Sequence, residues 1–180
     1  MCMIIDANVF PCVFSPNNAK HSKFKPVLEW LIFGKAKMIL GGKLFREEIL
    51  QKQKSFTPLL LELNKLNKIH MLDNDLIDNK EQEIKSKEND PDFDDPHIIA
   101  LAIESRCKLI CSDDARSFKF IHKIKTYDNN SIEPSIYTTI SHAPHTELLC
   151  DSNICSNGIH TVLDKTVATK IFNIIEGISN

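Results

Sequence analysis

Apolar residues along the first 125 positions fall into short solid blocks separated by longer stretches with helical spacing. Residues 3–5 are such a block, ending in an acid; residues 37–40 and 108–111 are each a lysine followed by three apolar residues, and residues 69–72 are apolar but for His70. Blocks of this length bounded by polar or glycine punctuation predict buried strands. Between them, residues 24–33, 43–54 and 57–67 carry helical periodicity, with Pro26 and Pro58 near helix starts and Gly34 just past a helix end. Residues 74–88 predict a charged helix that is solvated on most sides, and residues 96–106 a strongly apolar one. Residues 16–21 and the acid-rich run 89–94 predict loops, and a short helix follows residue 114 and runs through Phe120. Short apolar strands alternating with helices predict an α/β fold whose central, mostly parallel sheet is covered on both faces.

From about residue 131 the pattern changes. The chain is polar to residue 158, and helical spacing returns over 161–177, where Val162, Leu163, Val167, Ile171, Ile174 and Ile175 share a face. The expected organisation is therefore one domain over residues 1–130 and an extension over 131–180 that ends in a helix packed back on it. A length of 180 residues and a 42% hydrophobic share support a real core, and a net charge of −2 gives no global signal for nucleic acid. A local basic patch beside an acidic site would still serve a phosphate backbone. Two candidates are Lys20, His21, Lys23 and Lys25, and Lys119, Lys123 and Lys125, with a solubilising surface as the plainer reading of both. No run of residues matches a membrane span, and Met1 to Asp6 lacks the basic leader and apolar core of a signal peptide. A cytoplasmic protein with reduced cysteines is expected, with Cys2, Cys12, Cys107 and Cys111 as core packing.

The candidate chemistry lies in acids at the carboxyl ends of the predicted strands. Asp6 follows the first, and Asp113 and Asp114 follow the fourth. Parallel sheets bind ligands at this edge. Asp95 begins the helix leading into the fourth strand. Glu48 falls within the buried stripe defined by Leu44, Phe45 and Ile49, whereas Glu47 points away. A carboxylate on an apolar face calls for a compensating cation, either a metal ion or a neighbouring lysine. Asp95 before Pro96 also suits a helix cap, as do Asp113 and Asp114, and Asp6 suits a turn. Oxygen-only ligands favour Mg²⁺ or Mn²⁺.

Three segments carry a resemblance. Ile4-Ile5-Asp6-Ala7-Asn8-Val9-Phe10 resembles the opening motif of PIN-domain nucleases. Asp95-Pro96-His97-Ile98-Ile99-Ala100-Leu101-Ala102 resembles their third acid with its alanine-rich helix, and Leu109-Ile110-Cys111-Ser112-Asp113-Asp114 their last strand, hydroxyl residue, spacer and acid. Glu48-Ile49 is similar to the weaker second motif. The resemblance spans roughly residues 1–125. It implies a three-layer α/β/α sandwich, and it implies Asp6, Glu48, Asp95 and Asp114 as the catalytic, metal-binding acids of an endoribonuclease using one or two Mg²⁺ or Mn²⁺ ions. Asp113 is the reserve metal ligand, and Asn8 and Ser112 support the others. Many members are toxins of toxin–antitoxin pairs and dimers are common, so an antitoxin or other protein partner and a homodimer are expectations of the same kind. The tail of some fifty residues departs from the family pattern. A structure-specific DNA nuclease on the same fold and a catalytically inactive binding scaffold stay open as alternatives.

Two side readings complete the picture. His142, His145, Cys150, Cys155 and His160 are spaced as zinc ligands could be, yet no Cys-x-x-Cys pair is present and a solvated loop is the favoured reading. His97 and His122 are not needed as bases, and His97, second in its helix, is expected to face solvent. Phe118 and Phe120 read as core.

Overall fold

A computed structural model describes residues 2–140, 145–153 and 161–178. Strands β1 (Cys2–Ile5), β2 (Lys37–Leu40), β3 (Ile69–Met71), β4 (Leu109–Cys111) and β5 (Ser135–Tyr137) form one sheet in the order β3-β2-β1-β4-β5. Every neighbouring pair is parallel, with Ile4 opposite both Ile39 and Ile110. The three central strands are buried at every residue, and the two edge strands are not. That pattern is what a parallel sheet covered on both faces requires. The fold is thus the expected α/β class, a parallel sheet flanked by helices and consistent with a PIN-like sandwich.

The connections explain the layers. β1 leads through α1 (Phe10–Phe14) and α2 (His21–Phe33) to β2, and β2 leads through α3 (Thr57–Lys65) to β3. From β3 the chain returns through α4 (Asn74–Lys85) and α5 (Pro96–Ser105) to β4, then through α6 (Ala115–Ile121) and α7 (Ile124–Tyr127) to β5. Right-handed crossovers running first one way and then the other from β1 put the two sets of helices on opposite faces. Strand order therefore reverses between β1 and β4. The crevice beyond their carboxyl ends is where such a sheet binds its ligands.

Several elements differ from the sequence reading. Residues 43–54 do not form one regular helix: Leu44–Ile49 is a π-helix, with Leu50 N–H donating to Phe45 O at 3.0 Å and Lys52 N–H to Glu47 O at 3.3 Å. Wide turns of this kind recur at functional sites. The chain enters it through Gly42, whose φ of 53° only glycine adopts freely, and where a Cβ would lie 2.5 Å from Ile77. α4 is less solvated than expected, because Ile77, Glu81 and Ile84 are buried and the helix packs on α5. Pro26 lies inside α2, which begins at His21, and not in its first turn. α1, α7 and β5 have no counterpart in the sequence reading.

The sheet itself crosses the boundary expected at residue 130, since β5 pairs with β4 through Ile110 and Ile136. Beyond it, α8 (Lys165–Ile178) buries Ala168, Ile171 and Ile175, packs on α3, and stacks Phe172 on Phe33 of α2. Cys12, Cys107, Cys111 and Cys150 are free thiols, whereas Cys2 is disulfide-bonded, against the expectation that every cysteine is reduced. Among the described residues no helix is long and apolar enough to cross a membrane.

Candidate metal centre

The reversal point of the sheet holds an open pocket of about 320 Å³ lined by Asp6, Ala7, Asn8, Glu48, Gln53, Asp94, Asp95, His97, Asp114 and Arg116. Four of the five predicted acids lie in it. Asp6 is only 6% exposed and ends β1, where its N–H bonds to Cys111 O at 3.0 Å. Burial pushes its carboxyl above the usual range, and hydrogen bonds pull it back down. Ser112 Oγ donates to Asp6 Oδ2 at 2.7 Å and Asn8 Nδ2 donates to the same oxygen at 2.8 Å. Both bonds oppose the upward push that burial exerts on the Asp6 carboxyl.

Asp95 stands before the first residue of α5, yet its side chain makes no capping bond and accepts no hydrogen bond among the described residues. The reading of Asp95 as a helix cap fails on this point. Its carboxyl is pushed up to about 7, first by burial and then by the charges of Asp6, Asp94 and Asp114, with Arg116 opposing. Asp114 is the opposite case. It caps α6, accepting from Arg116 N–H at 3.0 Å, and the Arg116 guanidinium holds it below the usual carboxylate range.

Asp94, Asp95 and Asp114 offer oxygens that all lie within 4.8 Å of one another, a group that could hold a metal ion. At that separation two full carboxylate charges repel by as much as ~3 kcal/mol at an effective dielectric of 20. A divalent ion would turn this repulsion into attraction. Two of the lining residues, Gln53 and His97, each also carry a buried polar atom without a partner among the described residues. Gln53 Oε1 and His97 Nδ1 are buried with no hydrogen-bond partner, while Gln53 Nε2 donates to Ala7 O at 2.9 Å. Buried polar atoms without partners are rare, so the pair marks a site whose polar groups the protein alone does not satisfy.

Glu48 lines the pocket from the π-helix and is part-buried, and Glu47 is exposed, as expected. It also pairs with Lys52 Nζ, which lies 2.8 Å from both of its oxygens. Asp113 does not line the pocket. Burial pushes its carboxyl up, but the Thr139 N–H and hydroxyl, Lys20 Nζ and the Thr138 hydroxyl all donate to it and hold it below the ordinary value. The structure therefore assigns the fourth position of the pocket to Asp114 and makes Asp113 a clamp on the segment after β5.

His97 is 3% exposed, so the expectation that it faces solvent is wrong. α5 lies between the sheet and α4, and even its second position is covered. Three pocket residues were not singled out in the sequence: Asp94, Gln53 and Arg116. Asp94 had a visible signal in the acid run before Pro96. Gln53 and Arg116 had none, since only the folded chain brings them to the strand ends.

Of the two basic clusters, Lys20 pairs with Asp113 at 3.0 Å, Lys25 with Glu29 at 3.5 Å, and Lys119 with Asp90 and Asp92 at 2.8 and 3.1 Å. His122 pairs with Glu133 at 2.7 Å, away from the pocket lining. Phe120 is buried and Phe118 is part-buried against the core, as expected. Of the zinc candidates, His142, Cys155 and His160 lie outside the described residues. His145 bonds Glu147 at 2.7 Å and Cys150 lies 2.9 Å from Ser152 Oγ. Among the described residues, no metal-ligating group includes a histidine or cysteine. No family model, curated protein or solved structure matches this chain.

Proposed function

We propose that the chain is a metal-dependent nuclease of PIN-like type that hydrolyses phosphodiester bonds in RNA. The carrying observation is Asp95: a half-buried carboxylate with no hydrogen-bond donor, facing three other acids, pushed up to about 7. Such a group is costly unless a cation shares it. Asp6, Asp94, Asp95 and Asp114 would hold the ion, with Glu48 at the margin, and the all-oxygen set fits Mg²⁺ or Mn²⁺. A bound ion of this class supplies Lewis acidity for an attacking water and for a phosphate oxygen.

The chain's own residues do the rest. Ser112 and Asn8 donate to Asp6, oppose the upward push of burial on its carboxyl and fix its orientation. Capping of α6 fixes Asp114 at the mouth of the crevice. Glu48 is paired with Lys52, and Asp94 and Asp114 with Arg116, which leaves Asp6 and Asp95 as the pocket acids outside these ion pairs. The choice of RNA rests on the sequence resemblance. It is tested by incubating matched labelled single-stranded RNA and DNA with the protein in Mn²⁺, Mg²⁺ or EDTA. Metal-dependent cutting of RNA alone is expected. Cutting of DNA alone would move the activity to deoxyribonucleic acid, and no cutting of either together with no Mn²⁺ binding in a titration would favour a binding scaffold.

A further inference from the structure

Arg116 is the cation in direct contact with the clustered acids. Its Nη2 lies 2.9 Å from Asp114 Oδ2 and 3.1 Å from Asp94 Oδ2, and its Nε donates to Asp114 Oδ1 at 3.2 Å. Both oxygens of Asp114 are thereby engaged by one guanidinium, and Oδ1 also accepts the Arg116 N–H. These are oxygens that an ion in the cluster would need. Three other cations near the strand ends pair elsewhere: Lys52 with Glu48, Lys119 with Asp90 and Asp92, Lys20 with Asp113. The Arg116 side chain is 60% exposed, so water screens its ion pairs and they yield to a stronger cation. Its backbone, fixed in the first turn of α6, keeps it at the pocket wall after release. A planar guanidinium fork matches two oxygens of a phosphate as well as those of a carboxylate.

We propose that Arg116 exchanges partners during the reaction: it is the counter-cation of Asp94 and Asp114 until a divalent ion binds, and then clamps the phosphate group of the nucleic-acid substrate. This rests on the nuclease reading given above, and adds a catalytic residue outside the acid set. In the metal-free protein the guanidinium competes with the ion. In the loaded protein it contributes positive charge where the phosphate gathers negative charge.

The test uses the full chain with Arg116→Ala and Arg116→Lys. Mn²⁺ affinity is read by titration, and RNA cleavage is read at saturating Mn²⁺. Arg116→Ala is expected to bind Mn²⁺ on the order of two- to fivefold tighter, as loss of an exposed pair allows. It is also expected to cut on the order of a hundredfold more slowly, as loss of one preorganised donor does. Arg116→Lys keeps the charge without the fork, so its Mn²⁺ affinity stays near wild type and its rate recovers only in part. A merely structural role would weaken both readouts together. Unchanged Mn²⁺ affinity in Arg116→Ala, or unchanged cleavage at saturation, overturns the exchange. Absence of Mn²⁺ binding in the wild type overturns the nuclease reading instead, and is seen in the first titration.

Discussion

The Ser112 hydroxyl donates to Asp6 Oδ2 at 2.7 Å, joining the ends of two adjacent strands across 106 positions of sequence. The bond is buried, and its acceptor sits where desolvation favours protonation. Ser112→Ala removes a donor to a carboxylate and is expected to cost about 2 kcal/mol of stability in the metal-free protein. The Asp6 carboxyl also rises further. Urea unfolding above pH 7 checks the first effect, and a loss below about 0.5 kcal/mol, the background of surface substitutions, would show that Asn8 alone suffices.

Asp95 sets stability against function. Asp95→Asn removes the carboxylate that burial and three neighbouring acids oppose. The metal-free variant is expected to be more stable than wild type by about 1 kcal/mol at pH 8, since water screens part of the repulsion on this half-buried group. Its Mn²⁺ affinity is expected to fall by about tenfold or more. Denaturation and Mn²⁺ titration of the same sample read the two effects, and destabilisation combined with unchanged affinity would contradict this account of the site.

Half-buried Asp95, at the start of α5, and buried His97 within it oppose one another in their pH dependence. The folded-state value of Asp95 is raised to about 7, so between its ordinary value of 3.8 and 7 the folded state holds the extra proton and stability falls as pH rises. His97 is lowered to about 4, first by burial, with Glu81 and Glu48 pulling upward and Lys43 and Lys85 downward. Between 4 and 6.5 the unfolded state binds the extra proton there, so that contribution to stability is present above 6.5 and lost as pH falls. The two slopes offset in the wild type. In Asp95→Asn the stability of the metal-free protein should drop more steeply from pH 6.5 to 4, and parallel curves for the two proteins would show that Asp95 does not titrate in this window.

Metal binding should show the same group. Below pH 7 an ion must displace the Asp95 proton, so Mn²⁺ affinity is expected to rise by about tenfold per pH unit up to 7 and then level off. Titrations at four pH values between 5 and 8 resolve this. A flat profile would place the ion away from Asp95.

Asp113 and Asp114 are neighbours with separate duties. Asp113→Asn loosens the contact to Thr138 and Thr139 and should cost about 1–2 kcal/mol while leaving Mn²⁺ affinity within about twofold. Asp114→Asn should weaken Mn²⁺ binding by about tenfold or more. The reverse pattern would restore Asp113 as the metal ligand.

These contrasts show where the chain was legible. Strands β1, β2 and β4 are solid apolar runs, and an acid at the end of a buried strand is a local signal, so Asp6 and the residues after β4 could be found without a structure. β5 is three residues long and exists through its pairing with β4, which no local pattern announces. The spacing over 43–54 suits an ordinary helix and carries no mark of the π-helix or of the close approach of Ile77 to Gly42 that precedes it. Asp113 and Asp114 could not be separated by sequence. Thr138, Thr139 and Lys20, all distant in sequence, hold Asp113 outside the pocket. His97 was misread because a helix start is usually wet, and here the sheet and α4 enclose it.

The most direct measurement is cleavage of a labelled single-stranded RNA in Mn²⁺ by the wild type and by Asp6→Asn, with folding of both verified by their unfolding curves. The account predicts cutting by the wild type that EDTA abolishes and that Asp6→Asn lacks. Cutting by Asp6→Asn at the wild-type rate, or cutting that persists in EDTA, would contradict it.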